Sequence, residues 1–322
     1  MLFALALVPV IALLVFIYLK DKKEKEPIGL LIGLFFAGMG TIITAIIIEL
    51  IGEVILEAIF PYTPVLKAIL LAMLVVGPAE ELGKFAVLRL ITWKNKAFNY
   101  SYDAIVYAVF VSLGFACLEN VGYVFQNGLS TALLRMFTAV PGHACFAVFM
   151  GYFYSRAKFA SLTNKKGDYT KNMWLTLLIP IVGHGIYDGI LFAAQASGAD
   201  IIEGLGALLW IAYVVVLFVF SFILVIKSAK NDFCIVTLPT QQQTVYRPQV
   251  AGNWTCSCGV INSFNFCSAC GKPRPMGNTW NCPTCGTLCT YNFCGNCGCP
   301  KPAANPVPMP VQQAPVPPTP GV

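Results

Sequence analysis

Gly77-Pro78-Ala79-Glu80-Glu81-Leu82-Gly83-Lys84 places two adjacent carboxylates and a lysine inside an otherwise apolar run, between Val65–Val76 and Phe85–Leu90. A charge at bilayer depth costs about 2.5–3.5 kcal/mol on insertion scales, so such residues mark function unless they serve as a structural ion pair. On a helix, Lys84 lies four residues from Glu80 and three from Glu81, within reach of both.

The chain around this stretch has 322 residues, 57% of them hydrophobic and only 11% charged. A soluble domain carries about a quarter charged residues, so the composition is that of a polytopic all-α membrane protein with a smaller polar appendage. The net charge of +6 is modest and spread over loops, which does not point to nucleic acid as a partner. Met1–Leu19 lacks a basic leader and a small-residue cleavage site, and reads as a retained first anchor.

Seven segments are long enough to cross the bilayer, near 2–19, 28–51, 65–90, 102–126, 130–155, 172–195 and 205–227. The loops between them alternate in basic content. Lys20, Lys22, Lys23 and Lys25 fill the first loop, Arg89, Lys94 and Lys96 the third, Arg156 to Lys171 the fifth, and Lys227 and Lys230 follow the last span. The second, fourth and sixth carry no Lys or Arg. This alternation predicts an outside amino terminus and a cytoplasmic carboxyl terminus. The expected organisation is a membrane domain at 1–230, a linker at 231–252, a cysteine module at 253–300 and a disordered proline-rich tail at 301–322.

Further polar groups lie inside the spans. Phe115, Glu119 and Tyr123 step by four on one helix face, with Asn120 beside Glu119, so the tyrosine hydroxyl is expected to bond the acid. Pro141-Gly142-His143 and His184-Gly185-Ile186-Tyr187-Asp188 supply the only two histidines, each about a dozen residues into its expected span. Asp188 falls one turn past His184 and is positioned to orient its imidazole. Singly, each histidine reads as an interhelical hydrogen-bonding residue. Together, Glu80, Glu81, Glu119, His143, His184 and Asp188 must largely satisfy one another in hydrocarbon, which favours one wet polar cavity. Such a set suits hydrolysis: a glutamate to take a proton from water, imidazoles and carboxylates for a metal or an oxyanion, and Asn120 as a donor. A transporter or proton relay, or an inactive scaffold, would carry similar groups. Glu49, Glu53, Glu57 and Arg135 read as an interfacial polar edge.

Glu80-Glu81-x-x-Lys84, Phe115-x-x-x-Glu119-Asn120-x-x-Tyr123, His143 with Gly151, and His184-x-x-x-Asp188 together resemble the PrsW family of intramembrane proteases, relatives of the CAAX prenyl endopeptidases. The resemblance covers roughly residues 28–195. It implies an endopeptidase acting on a membrane-embedded protein substrate in regulated proteolysis. By carry-over, Glu80 or Glu81 would be the general base. Glu119, His143 and His184 would bind a metal or the oxyanion, with Lys84, Asn120, Tyr123 and Asp188 in support. A membrane metal site, Zn2+ by preference, would draw on Glu119, His143, His184 and Asp188, although related endopeptidases imply that glutamate-activated water can suffice.

Ten of the 13 cysteines lie between Cys256 and Cys299. Cys256, Cys258, Cys267 and Cys270 form one quartet, and Cys282, Cys285, Cys294 and Cys297 a second. The quartets belong to a 27-residue repeat, each copy opening on a tryptophan (Trp254, Trp280). Each quartet matches a structural zinc ribbon that holds one Zn2+ through its four thiolates, too small to fold without its metal. The ribbons resemble Trp-headed zinc modules that bind proteins, ubiquitin or RNA, among which the sequence does not choose. The low charge makes a cytoplasmic protein the expected partner rather than nucleic acid. Cys289 and Cys299 are left over as surface thiols.

Overall fold

The computed structural model describes residues 2–236 continuously, then 254–262, 268–270, 280–289 and several positions between 293 and 300. The linker after 236, Cys267, Cys297 and the proline-rich tail lie outside the described residues.

Long apolar stretches become long helices because no water is present to satisfy an open backbone in lipid. The helices are α1 Leu2–Lys20, α2 Ile28–Ile59, α3 Pro64–Leu71, α4 Gly77–Thr92, α5 Asp103–Phe137, α6 Ala139–Leu162, α7 Lys166–Ala196 and α8 Asp200–Lys230. Four stretches are long and apolar enough to cross a membrane: α2, α5–α6 taken together, α7 and α8; most of α1 forms a shorter apolar helix. Large apolar side chains such as Phe36, Ile43, Ile47, Leu208, Val215 and Phe222 point outward from α2 and α8. An outward apolar belt of this kind fits acyl chains, so the chain is a multi-pass membrane protein.

The centre is α5, whose run Asp103–Val109 is buried throughout. It packs against α1, α2, α4 and α6, and α7 closes the other side against α3, α4, α6 and α8. The apolar run that carries Glu80 and Glu81 is not one regular helix. Between α3 and α4, Ala72–Val76 widens into a π-helical turn, and Pro78 sits in the first turn of α4. Proline at that position has no amide to lose, and π-turns recur where a helix must re-aim side chains at a site. Here α7 also comes closest. A Cβ on Gly77 would stand 2.9 Å from the Ile181 carbonyl, and one on Gly185 would stand 2.8 Å from Met73 Sδ.

The loop expected at 126–130 is a tight break at Gly128 (φ 80°), where the chain turns back and a short helical piece runs to Phe137. A second break at Thr138 starts α6, so His143 lies four residues past the start of α6 rather than deep within one continuous helix. Glycine accepts the left-handed backbone without opening a loop, and periodicity alone does not separate these cases.

Two small hairpins follow the membrane portion: β1 Trp254–Thr255 with β2 Ile261–Asn262, and β3 Trp280–Asn281 with β4 Leu288–Cys289. In each, a glycine with positive φ (Gly259, 89°; Gly286, 70°) turns the chain back so that its amide bonds the carbonyl of Cys256 or Cys282. Cys256, Cys258 and Cys270 bring their sulfurs together, as do Cys282, Cys285 and Cys294. Cys256–Cys270 and Cys285–Cys294 are 3.5 and 3.4 Å apart at sulfur. Cys289 and Cys299 are not surface thiols. Both are buried, and Cys299 Sγ lies 3.2 Å from the Tyr100 hydroxyl, which docks the second hairpin on the loop before α5.

Candidate functional site

The π-turn and Pro78 turn one face of α4 inward, so Glu80, Glu81 and Lys84 all point into the bundle. Glu81 is fully buried, and Glu80, Lys84, His143 and His184 are each no more than 5% exposed. Lys84 Nζ donates to Glu80 Oε2 at 2.9 Å and to Glu81 Oε1 at 2.8 Å, and lies 3.2 Å from His143 Nδ1. Its charge also sits 4.1 Å above the Phe115 ring. A lysine this buried is tolerable only because every donor direction is met by an acid, an imidazole or a π face.

The two imidazoles come from α6 and α7 and meet edge to face, with ring centres 5.2 Å apart. Phe146 stacks on His184 at 4.9 Å and fixes its plane. Both Nδ1 atoms turn toward the glutamates: His184 Nδ1 is 3.0 Å from Glu81 Oε1, and Glu80 Oε2 stands 3.9 and 3.8 Å from Nδ1 of His143 and His184. Both Nε2 atoms turn outward, His143 to Glu119 Oε2 at 2.9 Å and His184 to Asp188 Oδ2 at 3.2 Å.

The donor atoms that converge within a metal's reach are therefore those of Glu80, Glu81, His143 and His184. Glu119 and Asp188 each touch one histidine on its far side, the position from which a carboxylate orients an imidazole.

Three supporting residues have other partners than the sequence suggested. Tyr123 does not reach Glu119 among the described residues; its ring lies 4.1 Å under the Arg135 guanidinium. Asn120 gives an amide hydrogen to the Ala6 carbonyl at 3.1 Å and accepts from Arg135 Nε at 3.0 Å, so it ties α1 to the site. Arg135 is not an interfacial edge. Its Nη2 donates to Glu119 Oε2 at 2.6 Å, because the short helical piece between Gly128 and Thr138 folds back over α5. Glu49, also read as an edge residue, is half-buried with Oε1 unpartnered among the described residues. Glu53 and Glu57 stay exposed at the rim, Glu57 paired with Lys67. The missed signal for Arg135 was its spacing of fifteen and sixteen residues from Asn120 and Glu119, which only a hairpin in the helix brings into contact.

The residues fit a divalent ion. Four carboxylates (Glu80, Glu81, Glu119, Asp188) face two fixed cations, Lys84 and Arg135. Glu81 Oε2 is buried with no hydrogen-bond partner. His184 has a carboxylate oxygen at each ring nitrogen, and a neutral ring can donate to only one of them.

Comparison with known proteins agrees with this geometry. Residues 26–225 match the model of the PrsW family intramembrane metalloproteases. Protease PrsW of Geobacillus kaustophilus is 37% identical over 192 residues, 59% of this chain and 79% of that protein. Protease PrsW of Oceanobacillus iheyensis is 37% identical over 205 residues, 63% of this chain and 88% of that protein. Protease PrsW of Bacillus subtilis is 31% identical over 225 residues, 69% of this chain and 91% of that protein. No solved structure matches. A family model spanning well over half the chain, ending before the cysteine hairpins, agrees with the buried acid–imidazole cluster, and the chain belongs to the PrsW family of intramembrane metalloproteases.

Proposed function

We propose that this intramembrane endopeptidase hydrolyses its membrane-embedded protein substrate with a water held between Glu80 and the two imidazoles. The observation that carries the reading is the convergence of Glu80, Glu81, His143 and His184, whose donor atoms all lie within 4.8 Å of one another. Glu80 is the general base: it receives the water's proton as the oxygen attacks the scissile carbonyl and passes it to the departing nitrogen as the C–N bond breaks. Glu81 holds Lys84 and His184 in place, and Glu119 and Asp188 hold the imidazole planes. Lys84 places a fixed positive charge beside the carbonyl oxygen as it becomes an oxyanion. A catalytic ion, Zn2+ by the nitrogen and oxygen donors, would be held by Glu81, His143 and His184. When bound, it supplies Lewis-acid polarisation and a more acidic water.

The chain crosses the bilayer seven times in this reading, with α3 and α4 forming one broken span. The end that gathers the basic first loop, the α4–α5 link and the residues after α8 faces the cytoplasm. Both cysteine hairpins then lie in a reducing compartment, where each binds one structural Zn2+ through four thiolates, Cys267 and Cys297 completing the sets. They serve to recruit a cytoplasmic protein partner. The decisive experiment is cleavage of a single-pass reporter in proteoliposomes. Glu80→Gln lowers kcat by about 10²–10⁴-fold, the usual contribution of a general base, with the thermal midpoint little changed. Full activity in Glu80→Gln would reject the assignment.

A further inference from the structure

A second group of buried acids lies at the opposite end of α5, outside the proteolytic site. Asp21 in the α1–α2 loop is 1% exposed, Glu26 just before α2 is 3% exposed, and Asp103 in the first turn of α5 is fully buried. Each points one carboxylate oxygen to a common place, with the three oxygens within 4.8 Å of one another. Asp232 lies alongside, its Oδ1 accepting from Ser101 Oγ and the Tyr102 amide, both at 2.8 Å.

The partners of these acids are incomplete. Asp103 Oδ2 accepts from the amides of Asn99 and Tyr100, at 3.0 and 2.7 Å, and Glu26 accepts from the Tyr107 hydroxyl. Both oxygens of Asp21, Oδ1 of Asp103, Oδ2 of Asp232 and the Tyr102 hydroxyl are buried with no hydrogen-bond partner among the described residues. The nearest cation, Lys25, gives its ammonium to the main-chain carbonyls of Tyr18 and Asp21 rather than to a carboxylate. A buried acceptor without a donor is expensive, and acceptors directed at one point ask for a cation.

We propose that Asp21, Glu26 and Asp103 bind one hard divalent cation, Mg2+ or Ca2+. An all-oxygen set of carboxylates with a tyrosine hydroxyl at its edge selects these ions over zinc, which favours nitrogen and sulfur. The ion would fasten the α1–α2 loop to the start of α5 beneath the strap 231–236, which is laid along the α4–α5 link by bonds from Ile235 N to Asn99 O (2.7 Å) and from Ser101 N to Phe233 O (2.9 Å). The site thus joins the membrane domain to the segment leading to the cysteine hairpins.

The test uses the full-length chain in detergent micelles, stripped with EDTA and titrated with Tb3+, whose emission would be sensitised by the adjacent tyrosines Tyr102 and Tyr107. The expected result is a saturable emission displaced by Mg2+ or Ca2+, with an affinity at least ten-fold weaker in Asp21→Asn. Should Asp21→Asn fail to fold, Glu26→Gln, which keeps an acceptor for Tyr107, must show the same loss. Absence of tyrosine-sensitised binding in the parent chain overturns the proposal. So does equal affinity in the folded variant, or a loss produced by Glu80→Gln instead, which would place the ion at the proteolytic site.

Discussion

Replacing Lys84 with methionine keeps the volume of the side chain but removes the one cation shared by Glu80 and Glu81. Lys84 is 1% exposed and makes contacts of 2.9, 2.8 and 3.2 Å to Glu80, Glu81 and His143. Removing one partner of a buried ion pair typically destabilises by about 3–5 kcal/mol, because the other partner is left charged and undersolvated. Here two adjacent carboxylates are left, so the loss belongs at the upper part of that range. At about 2–4 °C per kcal/mol for a domain of 150–250 residues, the thermal midpoint falls by roughly 8–20 °C. Intrinsic tryptophan fluorescence during a thermal ramp in micelles, with reporter cleavage on the same preparations, measures both effects. Adding Glu81→Gln to Lys84→Met removes one orphaned charge and restores much of the stability without restoring cleavage. The single and double variants therefore separate the structural from the catalytic share of the lysine. A Lys84→Met midpoint within a degree or two of the parent protein would refute the reasoning, because the ammonium could not then be neutralising both acids.

Arg135→Ala leaves Glu119 and Asn120 without their guanidinium partner and frees His143 to rotate. The expected result is a 10–100-fold fall in cleavage, as is usual when the support of a functional imidazole is lost, with Arg135→Lys intermediate and Arg135→Ala combined with Glu119→Gln less than additive. Metal analysis of the full-length chain and of a chain truncated after Lys230 should differ by about two zinc ions, one per four-thiolate set. Equal zinc contents would remove the ribbon assignment.

Local sequence carried much of this site. Glu80, Glu81 and Lys84 are paired by helical spacing, as are His184 and Asp188, and acids or imidazoles inside apolar runs have few ways to be satisfied except by one another. Outward hydrophobicity and loop charge likewise follow from composition, since lipid selects residues one at a time. The repeated cysteine pairs were legible by their spacing, and the sulfurs of Cys256, Cys258 and Cys270, and of Cys282, Cys285 and Cys294, do converge.

What the chain fold decided is which atom faces which. Helical periodicity is indifferent to the break at Gly128, yet that break turns Arg135 back onto Glu119 and sets the start of α6 beneath His143. It also cannot reveal the π-turn at Ala72–Val76, which aims Glu80 and Glu81 at Nδ1 of both histidines and leaves Nε2 to Glu119 and Asp188. Asp21, Glu26 and Asp103 stand in loops and at a helix start where acids are ordinarily solvated, so nothing local distinguishes them. Only the packing of α1, α2 and α5 excludes water from all three at once, because burial belongs to the assembled helices and not to any one residue.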